Sequence, residues 1–571
     1  MQMNRRETVG SYVLFALGVV TLATTVFAVW RHFSPLPFGD SWDGTIGFYM
    51  RVMQAPWQSF FEQHNEHRLT FSRLIFFADV RYFGGRNVLS LIANLVLAGA
   101  LAATFYRITL HHRATLSRPM RFGLAGGVLV FTFSWIQNEN FTWGFQSQWF
   151  AVYLFALFAF HAIERTAEAE GNDQRAKSRG WFVAALASAW VAAYSMSSGV
   201  LVLPVLIVQA TYLRLKRRDL AVLVAFTAAV WFAYFIDWTK PASSGNLTAG
   251  LREHPIGALR YVLLYLGAPA FHARLSLAAA YISGTWALVV LVASCIRTVQ
   301  AGEKRPQGIA MLAFAVFVAG NAVLTASGRL WFGIGTALAS RYTTASLTCW
   351  LALIIFMALN SRTAKQFNRV IIVAVIATLI VASGQRMAIH SDNDVAYSRL
   401  VAGLALRAHV YDPEIVKAVY PFPDTLVSIA KQAEAAQLSI FAPDQPDYLV
   451  APDHINATMS CEGAIESIST TTTPGIYRAT GWIYDTAARQ TAQAIVVTTA
   501  SGTTLGTGVT GGDRDDIRKR FGRRARYSGW TAFFKAPETG GIRISGELAA
   551  NTYCALQGER PVPAAGSASN R

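Results

Sequence analysis

The sequence predicts an α-helical polytopic membrane protein of about eleven transmembrane helices, with a small β-sandwich domain at its C-terminal end, outside the membrane. Three observations carry this. Of 571 residues, 53% are hydrophobic and 15% charged, too few charges to coat a soluble globule of this size. The apolar residues come in runs of membrane-crossing length joined by short basic connections. Beyond Asp453 the chain turns Thr-, Val- and Gly-rich with apolar alternation (AIVVTTASGTTLGTG, RISGELAANTYCAL), the pattern of short antiparallel strands.

The apolar runs fall near Gly10–Trp30, Asn87–Tyr106, Phe122–Ile136, Ser147–Ile163, Trp181–Tyr194, Gly199–Leu213, Leu220–Ile236, Leu277–Ile296, Ile309–Ala326, Thr343–Asn360 and Val370–Ser383. Several are shorter than the roughly 17–25 residues of a full crossing. The first is not expected to be a cleaved signal: Arg5 and Arg6 precede it, but it is long and lacks a small-x-small site. Orientation follows from charge. The connections holding Arg5/Arg6, Arg107–Arg121, Arg165–Arg179, Arg214–Arg218, Arg297–Arg305 and Arg362–Arg369 carry about twenty Lys and Arg, against about a dozen in the longer opposite set. The first set is therefore expected in the cytoplasm, with the N-terminus inside and, after an odd number of spans, the C-terminal region outside. The net charge of +17 sits in these loops, which points away from a nucleic-acid partner and toward the lipid bilayer. Ala258–Phe271 is apolar but interrupted by Gly267 and Pro269, so a helix lying in the interface is expected. Counted as a span, it would expose the basic 297–305 and 362–369 connections on the outside.

Four domains follow: residues 1–390 in the membrane, a helical linker over 391–450 with breakers at Pro421 and Pro423, the β-sandwich over 451–558, and a disordered Pro/Ala/Ser tail over 559–571. Cys295 and Cys349 lie in apolar runs and pack as small apolar groups. Cys461 and Cys554 lie in the polar C-terminal part, where an oxidising compartment would let them pair; the sequence leaves that pairing open. The aromatics of GWIYD (Gly481–Asp485) and SGW (Ser528–Trp530) read as sandwich core in preference to an exposed glycan platform, and Asp513–Arg526 as a solvated loop.

The chemistry-bearing residues gather in the loops expected outside. In PFGDSWDG, Asp40 and Asp43 stand three apart, placed to deprotonate an acceptor hydroxyl or to help hold a divalent cation. The alternative is a cap on a helix starting near Thr45. HNEHR puts His64, His67 and Arg68 at i, i+3 and i+4, one helical face with Glu66 aside. The histidine spacing is not that of a zinc protease, so no metal site is assigned. Arg68 would bind a phosphate or pyrophosphate while His64, Asn65 and Glu66 position hydroxyls; the alternative is a merely wet interfacial helix. QNENFTWGFQSQ offers Asn138, Glu139 and Asn140 to sugar hydroxyls, beside aromatics that also suit an interfacial belt. Arg329 and Arg341 bracket a small-residue loop, and Arg341 with Tyr342 (ASRYTT) leads into a span. Arginine suits bidentate capture of a lipid-linked phosphate at this depth, or snorkels to headgroups.

The acidic motif GDSWD in the first external loop, the polar external loops and the appended outer domain resemble the GT-C superfamily of membrane glycosyltransferases. The resemblance extends to bacterial members with an external cluster like HNEHR and a late ASRYT-type motif. It implies an enzyme of the bacterial inner membrane that moves a sugar from a polyprenyl-phosphate donor to a lipid-linked or cell-surface glycan acceptor. It also implies inversion, Asp40 as the base and Arg341 on the donor phosphate. The chain departs from metal-dependent members, whose acids recur as a spaced pair in one loop and again in another, so a cation requirement stays open. Other readings are an O-antigen or capsule polymerase, which would rely on external arginines, and a glycan or lipid transporter, which would carry charges inside its spans. A further one is an interaction module of the envelope.

Overall fold

A computed structural model describes residues 5–241, 245, 252–302, 306–389, 393–443 and 452–563. The chain forms two compact units that do not follow chain order. The first comprises Met1–Phe33, Ala55–Phe76 and Leu89–His390; the second comprises Ser34–Gln54, Phe77–Val88 and Ser391–Arg571.

The first unit is a helical bundle. Its apolar runs become helices because a backbone in hydrocarbon must satisfy its own N–H and C=O groups. Among the described residues nine helices are long and apolar enough to cross a membrane, from Arg5–Arg31 to Ala364–Ala388. The other two stretches expected to cross form the helices Arg175–Ala193 and Val202–Tyr212.

The connections between helices gather at two ends. At one, Glu66 meets Arg329, Gln63 meets Thr239, Ser340 meets Asn138 and Arg31 meets Ile389. At the other, Glu164 meets Ile309, Arg113 meets Ala358, Gln307 meets Asn360 and Lys216 meets Glu170. Within this unit, the loops expected outside thus share one end, and the basic set shares the other.

Pro255–His272 is one unbroken helix that runs through Pro269. It does not traverse the bundle: Gly257 near its start lies beside Leu330, and His272 at its close bonds the Leu338 carbonyl at 2.8 Å. Both its ends therefore face the same loop. It crosses Leu277–Gln300 at backbone distance, since a Cβ on Gly267 would stand 1.8 Å from the Ala280 carbonyl oxygen and one on Gly284 1.9 Å from that of Leu263. Small residues at such a crossing replace side-chain packing with backbone contact.

In the second unit, residues 391–450, expected as a linker, are a packed region where described. Helices Asn393–Arg407, Pro413–Val416 and Pro423–Ala435 bury Leu404, Val416, Leu426 and Ile429 in one core with Leu36, Trp42, Ile46 and Val80. The Arg399 guanidinium lies over the Phe38 ring, 3.4 Å from its centroid.

The C-terminal strands form one curled sheet, not the two facing sheets of a sandwich. Its order is Met459–Ser460, Thr552–Ala555, Gly541–Ala549, Ala494–Thr498, Thr504–Gly512, Gly529–Lys535, Ile476–Asp485, Glu462–Thr470. Register shifts in four pairings, such as that at Thr510/Gly512, supply the bend. The first and last strands of this order are separated in the chain by Cys461 alone, so the sheet must roll until its two edges come together. Cys461 is bonded to Cys554. Inside the roll lie Ile483, Ile495, Trp530 and Ile544, so Trp530 is core, and Trp482 packs on Phe521. The run expected as a solvated loop contains the helix Asp515–Phe521. Of the expected tail, Arg560–Pro561 pairs with Gly541–Ile542, and residues 564–571 lie outside the described set.

Candidate functional site

In the second unit, Gly39 takes φ +52°, a value glycine adopts without cost, and donates its N–H to the Val419 carbonyl at 2.7 Å. The chain then enters a π-helical turn, Trp42–Gly47, anchored by the buried Trp42. Asp43 therefore lies inside a helix whose N-cap position is Ser41. Its carboxylate pairs with Arg51 at 2.8 Å. Asp40 precedes the turn, is half-buried, and has no hydrogen-bond or ion-pair partner for its carboxylate among the described residues. Burial, then Asp43 and Asp40, push the nearby Tyr420 phenol up to about 12, so it stays protonated and can donate a hydrogen bond at neutral pH.

In the first unit, HNEHR is a β-hairpin, not a helix: Gln63–His64 pairs with His67–Arg68, and the turn is Asn65–Glu66 with Asn65 at φ +50°. Strand alternation sends His67 and Arg68 to opposite sides, which removes the shared helical face expected for His64, His67 and Arg68. Arg68 is buried, and its guanidinium donates to the carbonyls of Tyr234 (2.6 Å), Phe61 and Ile236. The group expected to hold phosphate pins the hairpin instead. His64 packs on Phe145, and Asn65 reaches the His64 Nε2 at 3.4 Å. His67 Nδ1 accepts from the Ser197 hydroxyl (2.8 Å) and N–H (3.2 Å). Glu66, at the tip, pairs with Arg329 at 2.8 Å. Burial works to raise its carboxyl, but His67 and Arg329 outweigh it and hold it below the usual 4.5.

A second clasp joins the QNEN and SRYT segments. Arg341 Nη1 donates to Glu139 Oε1 at 2.8 Å, and its backbone N–H to Oε2 at 3.2 Å. Ser340 donates to Asn138 at 2.8 Å, and the buried Asn140 donates to the Arg341 carbonyl (2.8 Å) and the Thr344 hydroxyl (2.7 Å). Tyr342 is buried between Trp149 and Tyr265; Trp149 is thus packed inside the unit and is no belt residue. No family model matches the chain, and no curated protein matches it. The reading of these residues therefore rests on the geometry within each unit.

Each clasp leaves most of its guanidinium donors beyond the carboxylate bond, since an arginine offers five N–H groups. The charges of Arg329 and Arg341 both act on the phenol of Tyr261, whose oxygen lies 3.3 Å from the Thr336 hydroxyl. Tyr261, Thr336, Ser197 and Tyr420 had no signal in the sequence: an aromatic in an apolar run reads as core, and a lone hydroxyl as loop. Among the described residues neither Asp40, Asp43, Glu66 nor Glu139 belongs to a cluster of ligand atoms close enough to share an ion.

Proposed function

We propose that this chain is a membrane glycosyltransferase of the GT-C type, moving a sugar from a polyprenyl-phosphate donor to a glycan acceptor with inversion at the anomeric carbon. The observation that carries the reading is the contrast among the motif acids. Asp43, Glu66 and Glu139 are each bound to an arginine, whereas the Asp40 carboxylate is unengaged among the described residues. An unengaged, half-buried carboxylate beside a protonated phenol suits a general base. It would take the proton of an acceptor hydroxyl as that oxygen attacks the anomeric carbon and the lipid phosphate departs. Arg329 and Arg341 would supply the positive charge that a departing phosphate needs, without a metal being required for that step.

The test is sugar transfer from a polyprenyl-phosphate donor in vesicles containing the purified chain. Asp40→Asn keeps the shape and removes the basicity, and its turnover should fall by about 10²–10⁴-fold with thermal stability unchanged. Wild-type turnover in Asp40→Asn would end the assignment. Arg341→Ala should raise the donor KM more than Asp40→Asn does.

A further inference from the structure

At the end of the first unit that gathers the basic connections, the helix Val88–His112 finishes on two consecutive histidines. Beside them the helix Ser147–Gly171 presents His161, Glu164, Arg165 and Glu168, spaced so that three- and four-residue steps share a face. His111 Nε2 lies 2.9 Å from Glu168 Oε2. His112 Nε2 lies 3.4 Å from Glu164 Oε2, but that carboxylate is already engaged, accepting the N–H groups of Ile309 (2.9 Å) and Ala310 (3.4 Å) at the start of a third helix. His112 has a side chain only 8% exposed and a buried Nε2 without a hydrogen-bond partner among the described residues. The Nδ1 of His161 is buried and unbonded in the same way, and its ring stands 5.9 Å from that of His111. Buried imidazole nitrogens left unbonded are costly, and a ligand that accepts their lone pairs removes the cost.

One ligand atom from each of His111, His112 and Glu168 lies within 4.8 Å of the others. We propose that these three residues form a site for a divalent transition-metal ion. Two imidazoles and one carboxylate suit zinc, with water completing the tetrahedron. Arg165 is the competing cation. Its Nη1 donates to Glu168 Oε2 at 2.9 Å and lies 2.9 and 2.5 Å from His111 Nδ1 and Nε2, so one positive group already stands beside both residues. The Trp181 ring, 5.5 Å from the guanidinium carbon, gives Arg165 a face to rest on once an ion takes its partners. A bound ion would tie Val88–His112 to Ser147–Gly171 at their ends. The proposal is independent of glycosyl transfer.

The test uses the full chain in detergent, purified without a polyhistidine tag, stripped with EDTA, equilibrated with zinc sulfate and desalted, with bound zinc measured by mass spectrometry. Wild type should retain about one zinc per chain. His111→Gln and Glu168→Gln, both at partly exposed positions where folding is least at risk, should each weaken binding on the order of tenfold or more. Arg165→Gln should bind more tightly than wild type. Equal zinc in wild type and in both ligand variants would overturn the site. So would zinc retained by Arg165→Gln alone, which would make the guanidinium the permanent cation. Size-exclusion profiles matching wild type establish that each variant is folded.

Discussion

Arg68→Ala separates a structural arginine from a substrate-binding one. The side chain is buried, and its three nitrogens donate to the carbonyls of Tyr234, Phe61 and Ile236, tying the hairpin to the helix Arg217–Phe235 and the residues after it. A hydrogen bond from a charged donor contributes about 1.5–3 kcal/mol, and a buried acceptor left unbonded costs about 1–3 kcal/mol. These terms overlap because the three bonds come from one rigid group. A net loss of about 3 kcal/mol follows for alanine, as water reaches some of the freed carbonyls. Lysine presents one donor centre in place of a planar fork and should recover about a third of the loss. The assay is thermal unfolding in detergent by tryptophan fluorescence, with Trp238, whose indole N–H lies 3.5 Å from the Glu66 carbonyl, reporting on the hairpin. The midpoint should fall by about 5 °C for alanine and by less for lysine, with the donor KM of the folded fraction unchanged. An unchanged midpoint together with a raised donor KM would refute the structural role and return Arg68 to the phosphate.

Other outcomes follow from the same geometry. Glu66 has its carboxyl held below 4.5 in the folded state, so its pair with Arg329 contributes fully above about pH 4.5 and is lost as pH falls through the lowered value. The stability difference between wild type and Glu66→Gln should be flat at neutral pH and shrink on acidification below 4.5; a difference that grows there would reverse the sign. Thiol titration of the denatured chain should give two free groups, Cys295 and Cys349, and four after reduction. Because the bridge closes a separation of 93 residues, Cys461→Ser with Cys554→Ser should cost up to about 4 kcal/mol in the second unit, read as earlier loss of its β-sheet circular dichroism. Gly284→Leu should cost about 1–3 kcal/mol by overpacking, measured as a lower unfolding midpoint, whereas Gly10→Leu, with nothing within 4 Å of a Cβ there, should leave it unchanged.

Apolar runs were legible because a helix in hydrocarbon declares itself by composition, and the glycine-tight crossing of Pro255–His272 with Leu277–Gln300 was not, because a glycine in such a run has no partner written beside it. The reading of Ala258–Phe271 rested on the interruption at Gly267 and Pro269 and on charge alternation; the helix runs unbroken through both residues, and its two ends meet one loop. HNEHR misled because its three polar residues fit a helical spacing, while the deciding feature is local: Asn65 tolerates positive φ and opens a two-residue turn. The sandwich was a reading of alternation, which fixes strands but not their order; that order depends on Met459–Ser460 pairing with Thr552–Ala555 across nearly the whole domain. The difference between Asp40 and Asp43 depends on Arg51, eight residues on, brought to Asp43 by a π-helical turn that no spacing rule anticipates.

The membership of Ser34–Gln54 in the second unit bears on how the protein is made. Trp42 and Ile46 share a core with Leu36 and Val80, but the rest of that core, from Val401 to Phe533, is made only later. At ~5–20 residues per second that is a wait of roughly half a minute, so the two halves of this core are made at well-separated times.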